Sequence, residues 1–212
     1  MAVKARRIHL ASGNVHKARE MAAIAKAAAG GADTPLVEIV LPPHMPVVVE
    51  DTGTFAGNAR KKAAALKAAL PPEAWVLADD SGLCVDALDG APGVESAYYA
   101  GPRGDGAANL RKLAEIMREI PVGKRGAQFV CVLVLLGPDS MEQVFEGCCA
   151  GVLRREPAGG GGFGYDPLFV PEGFKATYAE LGEAIKNRIS HRGRAWLKLM
   201  EWMRAARLAG GF

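Results

Sequence analysis

Two pairs of neighbouring carboxylates are the side chains of this sequence best suited to hold a metal ion. Asp79 and Asp80 are predicted to end the short apolar strand 75–78, and Glu50 and Asp51 lie in a loop. Carboxylates from two such segments suit Mg²⁺, which prefers a few protein carboxylates together with water and substrate phosphates. Neighbouring strand residues point to opposite faces, so Asp79 and Asp80 need not share a site. The alternative is a simple turn, since Asp-Ser-Gly is a common turn composition.

A second candidate segment connects a predicted strand to a predicted helix. It consists of Ser12, Gly13, Asn14, Val15, His16 and Lys17. The first turn of a helix has free N–H groups and the positive end of the helix dipole, so anions bind there. Lys17 would add a point charge for a phosphate, although the Walker A pattern is absent. The alternative is that Asn14 only caps the helix.

The stretch 159–164 has the spacing G-x-G-x-x-G, but its surroundings do not fit a dinucleotide-binding turn. Such a turn follows a strand and opens a helix, whereas Pro167 prevents a helix from opening at the two residues before it. Glycine lets the backbone approach a ligand closely, and the rings of Phe163 and Tyr165 could stack on a base. Asp166 adds a hydrogen-bond acceptor. The alternative is a plain loop.

The segment 186–192 places cations at the start of the last predicted helix. His191 and Arg192 would lie in its first turn, where positive charge opposes the helix dipole at a cost of about 0.3–1 kcal/mol each. A ligand with carbonyl or phosphate oxygens would explain this choice. The alternative is a basic face exposed to solvent.

Strands that alternate with helices, plus a hairpin, predict an α/β domain with a mixed sheet. Strands are predicted over 7–11, 36–41, 75–78, 128–136 and 143–153. Helices are predicted over 15–29, 58–70 and 109–120, with two more in the last third of the chain, capped by Thr177 with Glu180 and by Ser190. The sequence contains no internal repeat and no long linker, so we expect a single domain over 1–212.

The composition excludes several classes of protein. Half of the 212 residues are apolar and 23% are charged, which suits one large domain or two lobes that share a core. A net charge of +3 without a concentrated basic stripe argues against a nucleic-acid partner. The longest aliphatic run, 129–136, is too short to span a bilayer, and the first 11 residues lack the apolar core of a signal peptide. We therefore expect a cytoplasmic protein with no membrane partner.

The four cysteines form no C-x-x-C pair, so no zinc site is expected. Three of them lie among apolar residues, and we expect buried, reduced thiols.

Five motifs, in this order along nearly the whole chain, resemble the inosine triphosphate pyrophosphatase family, also called XTP/dITP diphosphatases. The segment ASGNVHKARE resembles the family's first phosphate loop, and EDTGTFAGNARKKA resembles its acidic segment. The stretch LADDSGLCVDALDGAPGVESAYYAG is similar to its signature strand and loop. Two later motifs, GGFGYDPLF and KNRISHRGRA, resemble its base-side segments.

The resemblance implies a two-lobed α/β fold with a long mixed sheet, a substrate cleft between the lobes and a homodimer. It also implies Mg²⁺-dependent hydrolysis of ITP, dITP and XTP to the monophosphate and pyrophosphate. The implied phosphate and ribose contacts are Ser12, Gly13, Asn14, Val15, His16, Lys17 and Lys186. Asp80 is the implied base or metal carboxylate with Ser81 beside it, and either Glu50 or Asp51 is the second metal ligand. The implied base pocket comprises Phe163, Gly164, Tyr165, Asp166, His191 and Arg192.

Two other functions remain possible from the residues. One is a nucleotide-binding or nucleic-acid-binding module without catalysis, and the other is a hydrolase of the same fold acting on other nucleotides, such as modified pyrimidines. The acidic pairs argue against the pure binding module, because carboxylates beside phosphates weaken binding unless a cation lies between them.

Overall fold

The computed structural model describes residues 5–28 and 36–208. The six strands are Arg6–Ala11 (β1), Val37–Val40 (β2), Trp75–Val85 (β3), Gly126–Leu136 (β4), Glu142–Leu153 (β5) and Phe169–Pro171 (β6). The six α-helices are Val15–Ala28 (α1), Phe55–Ala68 (α2), Gly106–Arg118 (α3), Tyr178–Leu181 (α4), Glu183–Ile189 (α5) and His191–Leu208 (α6). All these counts refer to the described part of the chain.

The strands form one mixed sheet in the order β2-β1-β3-β4-β5-β6. β1 is parallel to both β2 and β3, whereas β5 and β6 are antiparallel. The predicted α/β class with a mixed sheet is therefore confirmed. The register aligns Ala11, the last residue of β1, with Ala78 of β3. Because the two strands run in the same direction, the turn that follows Ala11 lies beside the carboxylates that follow Ala78 within β3.

The acidic pair does not end its strand, and this prediction was wrong. β3 continues through Asp79 and Asp80 to Val85, and both carboxylates are buried, with 2% and 5% exposure. An aspartate pair by itself favours a turn. Here cations from other elements compensate the two charges, so the extended backbone can carry them through the interior.

Other boundaries shift by a few residues. α2 begins at Phe55 rather than 58, because Thr54 caps it by accepting the N–H of Gly57 at 3.0 Å. The predicted capping box of Thr177 and Glu180 is present, but the helix it starts has only four residues. β6 was not predicted from the sequence, and the last helical region contains three helices rather than the two predicted. The last residue of the predicted helix 15–29 lies outside the described residues.

The chain contains two compact units. Unit 1 comprises 1–80, 132–147 and 192–212, and unit 2 comprises 81–131 and 148–191. The core of unit 1 includes Ile8, Leu10, Met21, Leu77, Leu133, Trp196 and Leu199. The core of unit 2 includes Leu83, Val85, Leu113, Met117, Phe129, Leu168, Phe169 and Tyr178.

Among the described residues, no helix combines the length and the apolar character that crossing a membrane requires. All four cysteines are free, as expected. Cys131 and Cys149 are buried, whereas Cys84 and Cys148 are only partly buried, so the expectation of buried thiols is correct for two of them.

Candidate active site

Asn14 positions the segment between β1 and α1. Its side-chain oxygen accepts the N–H groups of His16 at 3.0 Å and Lys17 at 3.1 Å, so Asn14 caps α1. The capping alternative is therefore realised. Ser12 is partly buried and the next residues are exposed, as a segment open to ligands requires. Ala18 donates its N–H to the Asn14 carbonyl at 2.9 Å, so the N–H of Val15 is the one in the first turn that the cap leaves to an anion.

Lys17 extends from α1 toward the buried carboxylate of Asp79, which it approaches to 3.6 Å. Arg192 lies at the same distance from Asp79. Burial by itself would raise the pKa of Asp79, but the attraction of Lys17, Arg192 and a further lysine outweighs it and lowers the pKa to about 2. Asp79 is therefore an ionised anchor that holds two cations in place.

Asp80 is held through both carboxylate oxygens by two residues of α2. Lys62 approaches one oxygen at 3.1 Å, and Asn58 donates to the other at 3.2 Å. Asn58 and Lys62 are four residues apart, so they share one face of the helix. Burial raises the pKa of Asp80 above its ordinary value, against the opposing attraction of Lys62 and Lys17.

Glu50 also reaches the ammonium of Lys62, at 2.7 Å. The loop that carries Glu50 is fixed by Thr52, whose N–H and hydroxyl donate to the side-chain oxygen of Asn58 at 3.1 and 2.8 Å. Asp51 behaves differently. It is exposed and pairs with Lys61 at 2.5 Å. Of the two acidic loop residues, Glu50 is the one that shares a partner with Asp80.

Glu50 and Asp80 thus converge on one positively charged nitrogen, and this arrangement tests the fit of a metal ion. Two carboxylates that hold one ammonium can also hold a compact cation. Among the residues that the structure describes, no group of three or more histidine, cysteine or acidic side chains forms a larger metal site. A pair of carboxylates fits Mg²⁺, which keeps several waters and is completed by substrate phosphates.

In unit 2, Asp166 organises the glycine-rich loop. One of its carboxylate oxygens accepts the N–H of Phe163 at 2.8 Å and the ammonium of Lys186 at 2.6 Å. The same ammonium lies 4.5 Å from the centre of the Phe163 ring and 5.6 Å from that of Tyr178. Lys186 and Asp166 are almost completely buried, so the ion pair and the Phe163 ring form one packed cluster.

The glycines of this loop permit close contact with α4. Gly159 has a φ of 83°, and a Cβ added there would lie 2.8 Å from the backbone carbon of Ala179. Gly161 donates its N–H to the carbonyl of Ala179 at 3.2 Å. The segment 159–167 contains neither helix nor strand, so the sequence-based exclusion of a dinucleotide-binding turn is confirmed.

Tyr165 and His191 are buried and pack in the interior of unit 2. Tyr165 is 5% exposed and donates its hydroxyl to the carbonyl of Ser96 at 2.8 Å. Burial raises the pKa of Tyr165 above its ordinary value. His191 is buried and stacks on Phe129, with 4.7 Å between the ring centres. Of the aromatic residues proposed for stacking on a base, Phe163 is therefore the one that keeps partial exposure.

Arg192 belongs to unit 1, where it forms an ion pair with Glu20 of α1 in addition to approaching Asp79. Its guanidinium is 1% exposed. The sequence offered a ligand or a solvent-exposed basic face as the reason for this cation. The exposed face is wrong for Arg192, which is buried and balanced by two carboxylates. Ser81, which follows Asp80 in the sequence, and Gly164, which follows Phe163, are both partly buried.

Three residues of the candidate site were not predicted from the sequence, namely Glu20, Asn58 and Lys62. Asp79 was a candidate, but its role as an anchor for two cations was not predicted. A signal was available for two of them. Asn58 and Lys62 have the i, i+4 spacing of one helix face within the acidic motif. Glu20 had no local signal, because its partner is 172 residues away along the chain.

Comparisons with known proteins agree with the motifs. A dITP/XTP pyrophosphatase from Opitutus terrae is 61% identical over 201 residues, which cover 93% of this chain and 98% of that protein. The structure of a HAM1 protein from Coxiella burnetii superimposes with a TM-score of 0.79 at 34% identity, covering 95% of this chain and all of that one. A nucleoside-triphosphatase, dITP/XTP pyrophosphatase, from Mycobacterium abscessus has a TM-score of 0.70 at 40% identity, covering 91% and 98% of the two chains.

The Ham1 family model matches residues 8–202. This match and the 61% identity confirm the resemblance drawn from the five motifs. The chain belongs to the Ham1 family.

Proposed function

We propose that this protein hydrolyses purine nucleoside triphosphates with deaminated bases, namely ITP, dITP and XTP, to the monophosphate and pyrophosphate. The observation that carries the proposal is the convergence of Glu50 and Asp80 on one cationic nitrogen. Relatives named dITP/XTP pyrophosphatase support the choice of substrate. The two acidic segments account for catalysis better than for passive binding, because they supply a cation site for a phosphorylated ligand.

The proposed metal ligands are Glu50 and Asp80, not Asp51, because Asp51 faces solvent and Lys61. A bound Mg²⁺ would offset phosphate charge and polarise a phosphoryl oxygen. Phosphoryl transfer needs positioning and charge neutralisation more than covalent chemistry. Lys17, held by Asp79, supplies part of that charge, and the segment 12–17 supplies backbone donors.

Asp80 is the proposed general base. It is buried and held in a fixed position, as a carboxylate that accepts a proton from an attacking water must be. Asn58 fixes the orientation of the carboxylate by donating to one oxygen, which leaves the other oxygen to interact with a cation or water. Ser81, the next residue, is proposed as a substrate contact.

The glycine-rich cluster is proposed to recognise the base. The ring of Phe163, held by Asp166 and Lys186, offers a face on which any purine can stack. Selection of a 6-oxo group over a 6-amino group requires donors, and His191 and Arg192 are the proposed ones, whereas Lys186 is proposed to face the phosphates and ribose. Leaving buried donors unpaired costs roughly 1–3 kcal/mol each, which is enough to discriminate against ATP. Gly164 and Tyr165 shape the loop.

We further propose a homodimer and a cytoplasmic location, with the whole chain acting as one catalytic domain. These proposals rest on the family resemblance.

The test is pyrophosphate release from ITP, dITP, XTP, GTP, ATP and a modified pyrimidine triphosphate, with and without Mg²⁺. We expect the highest kcat/KM for the first three and dependence on the metal. Asp80→Asn should fold normally and lose at least about 10²-fold in rate, as loss of a general base does. Asp51→Asn is the matched control and should keep near-parental activity. Equal rates on all triphosphates, or near-normal turnover by folded Asp80→Asn, would contradict the proposal.

A further inference from the structure

The side chain of Lys62 lies where a cation bound by the two carboxylates would lie. Its ammonium is 2.7 Å from Glu50 and 3.1 Å from Asp80, and the lysine side chain is only 12% exposed. The ammonium provides the charge balance that these two carboxylates need.

An ammonium and a divalent cation cannot both occupy this position. Mg²⁺ needs oxygen ligands at about 2.0–2.1 Å, so carboxylates that close on the metal leave no room for a nitrogen between them. Two positive groups at such a distance also repel each other strongly where water is scarce. The position between the two carboxylates can therefore hold either the ammonium of Lys62 or a divalent metal ion, but not both.

We propose that Lys62 is a positioning residue that occupies the cation position between Glu50 and Asp80 in the nucleotide-free protein and leaves it when a divalent metal binds. The inference rests on the proposed function, since it assumes the metal ligands named there. It has one consequence for the reaction. The resident ammonium keeps the metal affinity of the free protein low, so that the metal arrives mainly together with the triphosphate.

Neighbouring lysines distinguish this role from a general charge effect. Lys61 precedes Lys62 on α2 but pairs with the exposed Asp51. Lys17 acts on Asp80 only from a distance, because it forms its ion pair with Asp79, at 3.6 Å. Removing the charge of Lys61 or Lys17 should raise the affinity for a metal ion slightly, but only removal of Lys62 empties the position between the two carboxylates.

The experiment measures Mn²⁺ binding to nucleotide-free protein by electron paramagnetic resonance. The samples are the parent protein and the variants Lys62→Met, Lys61→Met and Lys17→Met. We expect Lys62→Met to bind Mn²⁺ about 10-fold more tightly or better, and the two controls to change by less than about 3-fold. Adding Glu50→Gln to Lys62→Met should remove the gain, which places the bound ion at these carboxylates.

A second measurement uses the parent protein, so it remains informative if Lys62→Met does not fold. Lysines are labelled by reductive methylation and quantified by mass spectrometry without Mg²⁺ and at Mg²⁺ concentrations high enough to saturate the nucleotide-free protein. We expect labelling of Lys62 to rise several-fold with Mg²⁺, because the ammonium is released, while labelling of Lys61 stays constant.

The proposal is overturned if Lys62→Met binds Mn²⁺ like the parent, if Lys17→Met gains as much, or if Mg²⁺ leaves the labelling of Lys62 unchanged. Both measurements omit nucleotide, so their failure is distinguishable from failure of the proposed function. If the metal displaces Lys62 but no triphosphate releases pyrophosphate, the metal site is correct and the proposed substrate is wrong. If pyrophosphate is released but the metal does not displace Lys62, only the role of Lys62 is refuted.

Discussion

Replacement of Asp79 by asparagine should remove a buried charge that stabilises unit 1 mainly above pH 4. The side chain is 2% exposed and lies 3.6 Å from both Lys17 and Arg192. Asparagine has nearly the same shape, so the substitution removes the charge without creating a cavity. The two cations then lose a shared counter-ion inside the protein, which is the costly way to break a buried ion pair.

The magnitude follows from the lowered pKa. The pKa of Asp79 falls from 3.8 to about 2 on folding. Since one pKa unit corresponds to about 1.4 kcal/mol, the ionised carboxylate contributes about 2 kcal/mol to the free energy of unfolding at neutral pH. Because the folded pKa is the lower one, this contribution is complete above the unfolded pKa near 4. It is lost as the pH falls toward about 2.

The assay is urea unfolding of the parent protein and Asp79→Asn at pH 7, 5, 4 and 3. The difference in free energy of unfolding between the two should be largest at pH 7 and 5, and should shrink by about 1 kcal/mol by pH 3. Asp51→Asn, which removes an exposed carboxylate, should show a much smaller effect. A difference that stays constant from pH 7 to 3 would refute the reasoning, because it would mean that the pKa of Asp79 is not lowered by folding.

Three further predictions concern the other contacts. In a double-mutant cycle, Arg192→Ala and Glu20→Ala should show a coupling energy of about 2 kcal/mol or more, because the ion pair is buried. The exposed pair of Arg60 and Glu142 is the control and should show at most about 1 kcal/mol; equal coupling energies would contradict burial as the cause. Gly159→Ala should lower the free energy of unfolding by about 1–3 kcal/mol, because the residue has a positive φ and the added methyl group would clash with the backbone of Ala179. Gly160→Ala has open space around its Cβ position and should be nearly neutral, and thermal melts of both variants measure the difference. Phe163→Ala should lower kcat/KM for ITP, XTP and ATP by similar factors, since every purine offers a face for stacking; a selective loss on one base would show that the ring contributes to discrimination.

The sequence predicted the elements that carry local signals. The Ser-Gly-Asn turn and the cap at Asn14 mark the start of α1, and the spacing of Thr177 and Glu180 marks the capping box. These features depend on hydrogen bonds between residues two or three positions apart, so a short stretch of sequence contains all the participants. The order of the five motifs then identified the family over nearly the whole chain.

The extent of β3 could not be predicted, because local chemistry indicated the opposite. Asp79 and Asp80 before a Ser-Gly pair favour a turn, yet the strand continues to Val85. Burial of two adjacent carboxylates is favourable only when cations reach them. Lys17 and Lys62, which supply those cations, belong to two different helices that precede β3 in the chain.

The sequence by itself determined the class of fold, the family and the set of residues available for chemistry. Only the tertiary structure decided which of them work together. Glu50 rather than Asp51 shares a cation with Asp80, and Arg192 pairs with Glu20 across 172 residues of sequence. The physical reason is that the energy of an ion pair depends on the distance between its charges and on how far the surroundings exclude water. Both depend on position in space, which the spacing of residues along a chain does not encode.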